Sequence, residues 1–225
     1  MYGDKAQSLF DTLKKEGIIG AKGKVSFELL GIKVKVSDKS STGNLLQEWL
    51  GKWMDVKKIN HSSNENTQMP PDFYLGKHED NKDWLEVKSF DYIESPNFDI
   101  ANFDAYTRDL QDRAFRLDAD YLSMGYSLNN GIITINDIWL KKVWEITCSS
   151  EQYALRTQVK QDKIVNIRPY NFKSKPKGFE PFKSRLKFVT AIKETLAKYL
   201  NDNPGADKWF KKVEKSYKEF SGKSL

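Results

Sequence analysis

Between Trp84 and Phe90 the chain reads Trp-Leu-Glu-Val-Lys-Ser-Phe, an alternation that fits a strand with two unlike faces. Side chains two apart on a strand point the same way. Leu85 and Val87 therefore face apolar packing, while Glu86 and Lys88 project together from the other side. Such a strand needs a layer of helix or sheet against its apolar face. Just upstream, Pro71-Asp72-Phe73-Tyr74-Leu75 is also strand-like, and a polar loop joins the two. The pattern predicts two neighbouring strands, with Asp72 at the end of one and Glu86 and Lys88 on the other.

The rest of the chain mixes helix and strand. Leu9, Phe10 and Leu13 predict a helix from Lys5 to Glu16, stopped by Gly17. Val25–Leu29 and Ile32–Val36 read as a hairpin around Leu30-Gly31, solvated on the side of Lys33 and Lys35. Thr42 resembles an N-cap for a helix whose stripe is Leu45, Leu46, Trp49, Leu50 and Trp53, with Glu48 on its polar side. Phe98–Phe103 is expected to open a helix running towards Leu110. Asp120–Tyr126 and Ile132–Ile135 predict strands around an Asn-Asn-Gly turn, continued by apolar sequence through Ile146, with a strand around Val143–Thr147. A late helix over Ser184–Leu200 carries Leu186, Val189, Ile192, Leu196 and Leu200 on one face. The fold class expected is α/β (α+β), a central mixed sheet flanked by helices.

At 225 residues the chain fits one domain with a substantial core. Its 39% hydrophobic and 13% aromatic content marks a folded protein. A net charge of +6 and a pI near 9.1 favour a polyanionic partner. With Cys148 alone there is no intrachain disulfide and no cysteine zinc cluster; the residue reads as a small buried side chain. His61 and His78 are the only histidines, which leaves little room for a Ser-His-Asp triad or a multi-histidine zinc site. The first residues lack the apolar core of a signal peptide, and no apolar run is long enough to span a bilayer. A cytoplasmic protein with no membrane partner is expected.

Two carboxylates, Asp72 and Glu86, can hold a hard divalent cation through oxygen ligands. The ammonium of Lys88 can then lie beside the water or phosphate oxygen being activated. The acid-x-base triplet alone is common: Asp55-Val56-Lys57 and Asp80-Asn81-Lys82 also fit it. Only Glu86 and Lys88 sit in a strand-like segment beside an upstream Pro-Asp. The plain alternatives are a turn carboxylate at Asp72, a cross-strand ion pair at Glu86 and Lys88, and a solvated helix face at Glu48.

Pro71-Asp72 with Glu86-Val87-Lys88 resembles the PD-(D/E)xK nuclease superfamily. Pro71–Leu75, Leu85–Phe90, Phe98–Phe103, Ile138–Ile146, Thr157–Lys160 and Asn166–Pro169 are similar, in one order along the chain, to type II restriction endonucleases of the NgoBV-like group. The resemblance implies one nuclease domain over 1–225, with a catalytic core about 42–146 and DNA-recognition elements about 150–185. It implies Mg2+ as cofactor, double-stranded DNA as substrate, and a homodimer on a palindromic site, GGNNCC in this group. Asp72, Glu86 and the backbone carbonyl near Val87 would ligate the metal, Lys88 would orient the attacking water, and Glu48 would hold a second metal or a water.

Base reading must come from elsewhere, because phosphate contacts carry no sequence information. Arg156, Gln158 and Lys160 alternate, and with Lys163, Asn166 and Arg168 they supply side chains suited to base edges. Lys173, Lys175, Lys177, Lys183 and Arg185 are expected phosphate contacts, whereas Lys208, Lys211, Lys212 and Lys215 read as a solvated helix face. The competing readings are a repair or recombination nuclease of the same fold, a non-catalytic DNA-binding protein, and, less well supported, an RNA-binding module.

Overall fold

A computed structural model describes residues 3–35, 39, 41–64, 66, 69–77, 81–174 and 178–225. Val36, Lys175 and Lys177, each given a place in the sequence reading, lie outside the described residues, as do His78 and Asp80. In chain order the elements are α1 (Asp4–Lys15), β1 (Lys22–Lys24), β2 (Ser26–Leu29), β3 (Ile32–Lys35), α2 (Thr42–Val56), β4 (His61–Ser62), β5 (Phe73–Leu75) and β6 (Trp84–Asp91). There follow β7 (Ala101–Asn102), α3 (Phe103–Leu110), β8 (Asp120–Asn129), β9 (Ile132–Lys142), β10 (Thr157–Lys160), β11 (Lys163–Ile167), α4 (Arg185–Leu200) and α5 (Asn203–Ser221). The chain forms two units, one of Met1–Pro96 with Asp120–Lys141, the other of Asn97–Ala119 with Lys142–Leu225.

The first unit is built on a six-stranded sheet in the order β1-β9-β8-β6-β5-β4. It is mixed: β6 runs parallel to β8, while β5 pairs antiparallel with β6 and β4 with β5. Asn130 and Gly131, both with positive φ, make the tight turn between β8 and β9. The core joins Ala6, Leu9 and Leu13 of α1 to Leu46, Leu50 and Met54 of α2, over Leu85, Val87, Leu122, Met124, Ile133 and Ile135 of the sheet. Leu50, Leu85 and Leu122 are fully enclosed; truncating one such leucine to alanine typically costs roughly 2–5 kcal/mol. The mixed sheet flanked by helices is the architecture expected.

The cap of helix α2 lies one residue earlier than expected, at Ser41, and Thr42 is already helical. Its buried stripe is Thr42, Leu46, Leu50 and Met54, a strict four-residue row, so Leu45 and Trp49 are partly exposed and not in the core. Trp53 reaches sideways, its indole N–H donating to Glu16 at 3.1 Å.

The second unit holds a three-stranded sheet, β10-β11-β7, with α3, α4 and α5. Phe98–Phe103 is not the start of a helix. Ile100 N–H donates to the Ile167 carbonyl, and β7 pairs with β11. Helix α3 begins only at Phe103, because Asn102 Oδ1 accepts from Ala105 N at 2.9 Å and caps it there. The strand expected around Val143–Thr147 is a 3-10 turn over Val143–Glu145. Local side-chain bonds favour the turn: Glu145 accepts from Lys142 N at 2.8 Å, and Thr147 Oγ1 donates to the Val143 carbonyl at 2.8 Å. Helix α4 starts where expected, with Ser184 as N-cap, but buries Phe188, Val189, Ala191, Ile192 and Thr195, leaving Leu186 and Leu200 exposed. Among the described residues no helix is long and apolar enough to cross a membrane.

Candidate active site

The site lies where β5 meets β6 in the first unit. Phe73 pairs with Leu85 and Tyr74 with Trp84, so continuing that register by one residue sets Asp72 beside Glu86. Asp72 Oδ2 accepts a hydrogen bond from the Val87 backbone N–H at 2.7 Å, which ties the carboxylate to the neighbouring strand. Glu86 is buried, and Lys88 Nζ stands 3.5 Å from Glu86 Oε2. Burial raises the pKa of Asp72, and the charge of Glu86 raises it further. Against these act the charge of Lys88, the Val87 N–H and a hydrogen bond from Gln47; the result is about 6. Asp72, Glu86 and Lys88 thus form one electrostatic cluster.

Glu48 is exposed on α2. The α2 side chain that reaches Asp72 is its neighbour Gln47. Residues 43, 47 and 51 form one row along the helix. A Cβ at Gly51 would lie 3.3 Å from the Phe73 ring, and one at Gly43 would lie 3.1 Å from Ser89 Oγ. Two glycines therefore let this row approach β5 and β6 closely, with Gln47 between them. The Gly43-x3-Gln47-x3-Gly51 spacing was the available signal, obscured by the apolar stripe beside it.

Burial and the neighbouring Glu86 charge raise the proton affinity of Asp72, so this point is short of positive charge, and the donors present are oxygens. Among the described residues no group of three or more His, Cys, Asp or Glu side chains is placed to hold a metal ion. Two carboxylates and a strand carbonyl suit a cation that keeps several of its own waters, as Mg2+ does. The residues fit such an ion.

The residues expected to read DNA all lie in the second unit. Along β11 the register slips between its pairs with Gln158 and Val159 of β10, leaving Val165 as the extra residue. The bulge explains how Ile164 and Ile167, three apart, are both buried. Gln158 and Lys160 remain on one side of β10, and Asn166 Nδ2 donates to Gln158 Oε1 at 3.2 Å. Arg156 precedes the strand, exposed at its end, and its side chain bonds to the buried Cys148. Lys160 and Lys163 are exposed. Arg168 pairs with Asp99 and donates to the Asn97 carbonyl at 2.5 Å. Lys173 is half-buried, and Lys183 is exposed, 4.0 Å from Glu180.

Arg185 differs from these. It pairs with Asp118 and lies 4.3 Å from the Tyr217 ring and 5.1 Å from that of Trp144. Tyr217 donates to the same Asp118 at 2.9 Å, and burial together with that carboxylate pushes the phenol up to about 12. These contacts give Arg185 a part in packing. Arg185→Ala is expected to destabilise the protein by roughly 1–3 kcal/mol, against under ~0.5 kcal/mol for Lys183→Ala, as read from thermal melts.

The profile of the NgoBV restriction endonuclease family matches residues 4–225. The type II restriction enzyme NlaIV of Neisseria lactamica is 40% identical over 223 residues, which is 98% of this chain and 92% of that protein. The type II restriction enzyme NgoBV of Neisseria gonorrhoeae is 40% identical over 161 residues, 69% of this chain and 90% of that protein. The solved structure of the NlaIV restriction endonuclease superposes with a TM-score of 0.90 at 40% identity, covering 98% of this chain and 91% of that one.

Proposed function

The chain belongs to the NgoBV restriction endonuclease family, a family of type II enzymes acting on DNA, and from that premise we propose that it hydrolyses double-stranded DNA with Mg2+ at a short palindrome, GGNNCC. The observation that carries this reading is the convergence of Asp72, Glu86 and Lys88 around one electron-rich point. Asp72 and Glu86 would hold Mg2+, with the Val87 carbonyl, on the residue whose N–H already meets Asp72, as the backbone ligand. Bound there, the ion supplies Lewis-acid polarisation of the scissile phosphate and a more acidic water.

The side chains then have distinct tasks. Asp72 is aimed by the Val87 N–H and by Gln47, so its carboxylate is set before substrate arrives. Lys88 supplies a positive donor that orients the attacking water and offsets charge building on the phosphate oxygens. We assign the contribution of α2 to Gln47 and not to the exposed Glu48. Gln158, Lys160 and Asn166, joined by Arg156, would meet base edges, a reading supported by the Asn166–Gln158 bond, while Lys163, Lys173 and Lys183 would meet phosphates. The enzyme would work as a homodimer in the cytoplasm, since a two-fold protein matches a two-fold site.

The raised proton affinity of Asp72 gives this reading a pH signature. A cation must displace that proton, so divalent affinity should be nearly flat above pH 7 and fall about tenfold per pH unit below about 6. Calorimetric titration with Mg2+ or Ca2+ between pH 5 and 8 checks it. The function itself is tested by incubating the protein with plasmid DNA, with and without Mg2+, and sequencing the ends. Discrete fragments ending at GGNNCC are expected; random nicking, or no cutting of a duplex containing the site, would refute the reading.

A further inference from the structure

The hairpin of β2 and β3 forms a sheet of its own. Its register pairs Phe27 with Val34 and Leu29 with Ile32 on one face, and Ser26 with Lys35 and Glu28 with Lys33 on the other. One solvated face was expected; both are exposed, because no layer of the described structure covers the apolar side. Those four residues and Leu30, in the Leu30-Gly31 turn, are between 53% and 93% exposed. At ~150–200 Å² per large side chain, they present on the order of 500–650 Å² of apolar surface. That lies at the upper end of the largest patch usual on a monomer, about 300–600 Å². A lone two-stranded hairpin is marginally stable in water, so an uncovered apolar face on one calls for a partner.

The hairpin's foot is fixed to its own unit: Val25 N–H donates to the Gly131 carbonyl at 2.8 Å, and Lys35 lies against Gly131. Only the foot is held in this way, Val25 packing partly against the core while both faces beyond it stay exposed. A cleft of about 450 Å³ opens beside the foot, its wall apolar at Val25, Leu45, Trp49 and Ile133 and basic at Lys22 and Lys24. We propose that the apolar face of this hairpin, with the cleft at its foot, is where a second copy of the chain docks, a proposal that rests on the dimer reading above and names its surface.

Three observations favour a second copy over DNA. The apolar face carries no charged side chain, so it can meet itself across a two-fold axis without setting like charges opposite one another. Lys33 and Lys35 project from the other face, so the hairpin's own apolar face offers phosphates no cation, and the lysines of the proposed surface, Lys22 and Lys24, are confined to the cleft. The area on offer approaches the ~800 Å² per partner of a stable interface before the cleft is counted.

The test is sedimentation equilibrium of the full chain, as wild type, as Leu29→Ser with Ile32→Ser, and as Lys33→Gln on the polar face. The wild type and Lys33→Gln should form dimers of equal affinity, and the double variant should dissociate at least thirtyfold more readily with its circular dichroism unchanged. Hydrogen exchange of the unmutated protein, compared at dimer and monomer concentrations, should show amides 26–35 protected only in the dimer, whether or not the variant folds. A wild type that stays monomeric with and without site-bearing duplex sinks the dimer reading and this surface with it. A dimer whose affinity ignores the double substitution, or whose hairpin amides do not respond to dissociation, overturns the surface alone. A double variant that stays dimeric but binds duplex more weakly overturns it in favour of DNA contact.

Discussion

Asp72→Asn is expected to abolish cleavage while raising the melting temperature of the metal-free protein. Loss of a carboxylate that holds the catalytic ion removes several kcal/mol of transition-state stabilisation, a rate loss on the order of 10³–10⁵-fold. The stability gain follows from the proton. Asp72 binds it on the order of a hundredfold more tightly in the folded chain, with a pKa near 6 against an ordinary 3.8. Between about pH 4 and 6 the folded state therefore carries more protons than the unfolded one, and stability falls as pH rises through that window. Above it the deficit is full, about 3 kcal/mol. Asparagine keeps a carbonyl to accept from Val87 N–H and carries no charge to repel Glu86. At pH 8 the variant should melt several degrees higher, and below pH 4 the gain should vanish. Added divalent cation should stabilise the wild type and leave the variant unmoved. A variant that still cuts, or that melts lower at pH 8, contradicts the assignment.

Lys88→Ala carries the second large effect, an expected loss of 10²–10³-fold in single-turnover rate, the scale of removing one preorganised donor. Its charge also holds down the proton affinity of Asp72. Without it the acid limb of the pH–rate profile should move to higher pH, a change that a purely structural lysine would not produce. Lys88→Arg should restore that limb, since the charge is kept, and only part of the rate, since guanidinium geometry differs. Rates within threefold of wild type, or an unmoved acid limb, would remove Lys88 from the chemistry.

The strand carrying Glu86 and Lys88 was legible because its two-residue alternation is local and its faces are chemically opposite. Other features depend on contacts that pattern and periodicity do not show, some distant in sequence and some local side-chain bonds. Ala101 and Asn102 extend because β11 is there to pair with them, and only then can Asn102 cap α3. The stretch after Lys142 turns because Glu145 and Thr147 satisfy local backbone groups. In α2 the wide stripe hid its own orientation; once Thr42, Leu46, Leu50 and Met54 face the core, Gln47 and not Glu48 points at Asp72. Arg185 showed only its charge in sequence, and the carboxylate that claims it lies 67 residues away. A bulge such as the one at Val165 leaves almost no trace in composition.

The shared-cation claim is tested most directly by calorimetric titration of Ca2+, which should bind without supporting turnover, into wild type, Asp72→Asn and Glu86→Gln at pH 7.5. One site per chain is predicted in the wild type, weakened at least thirtyfold by either substitution. Wild-type affinity in either variant would mean that the two carboxylates hold no common ion.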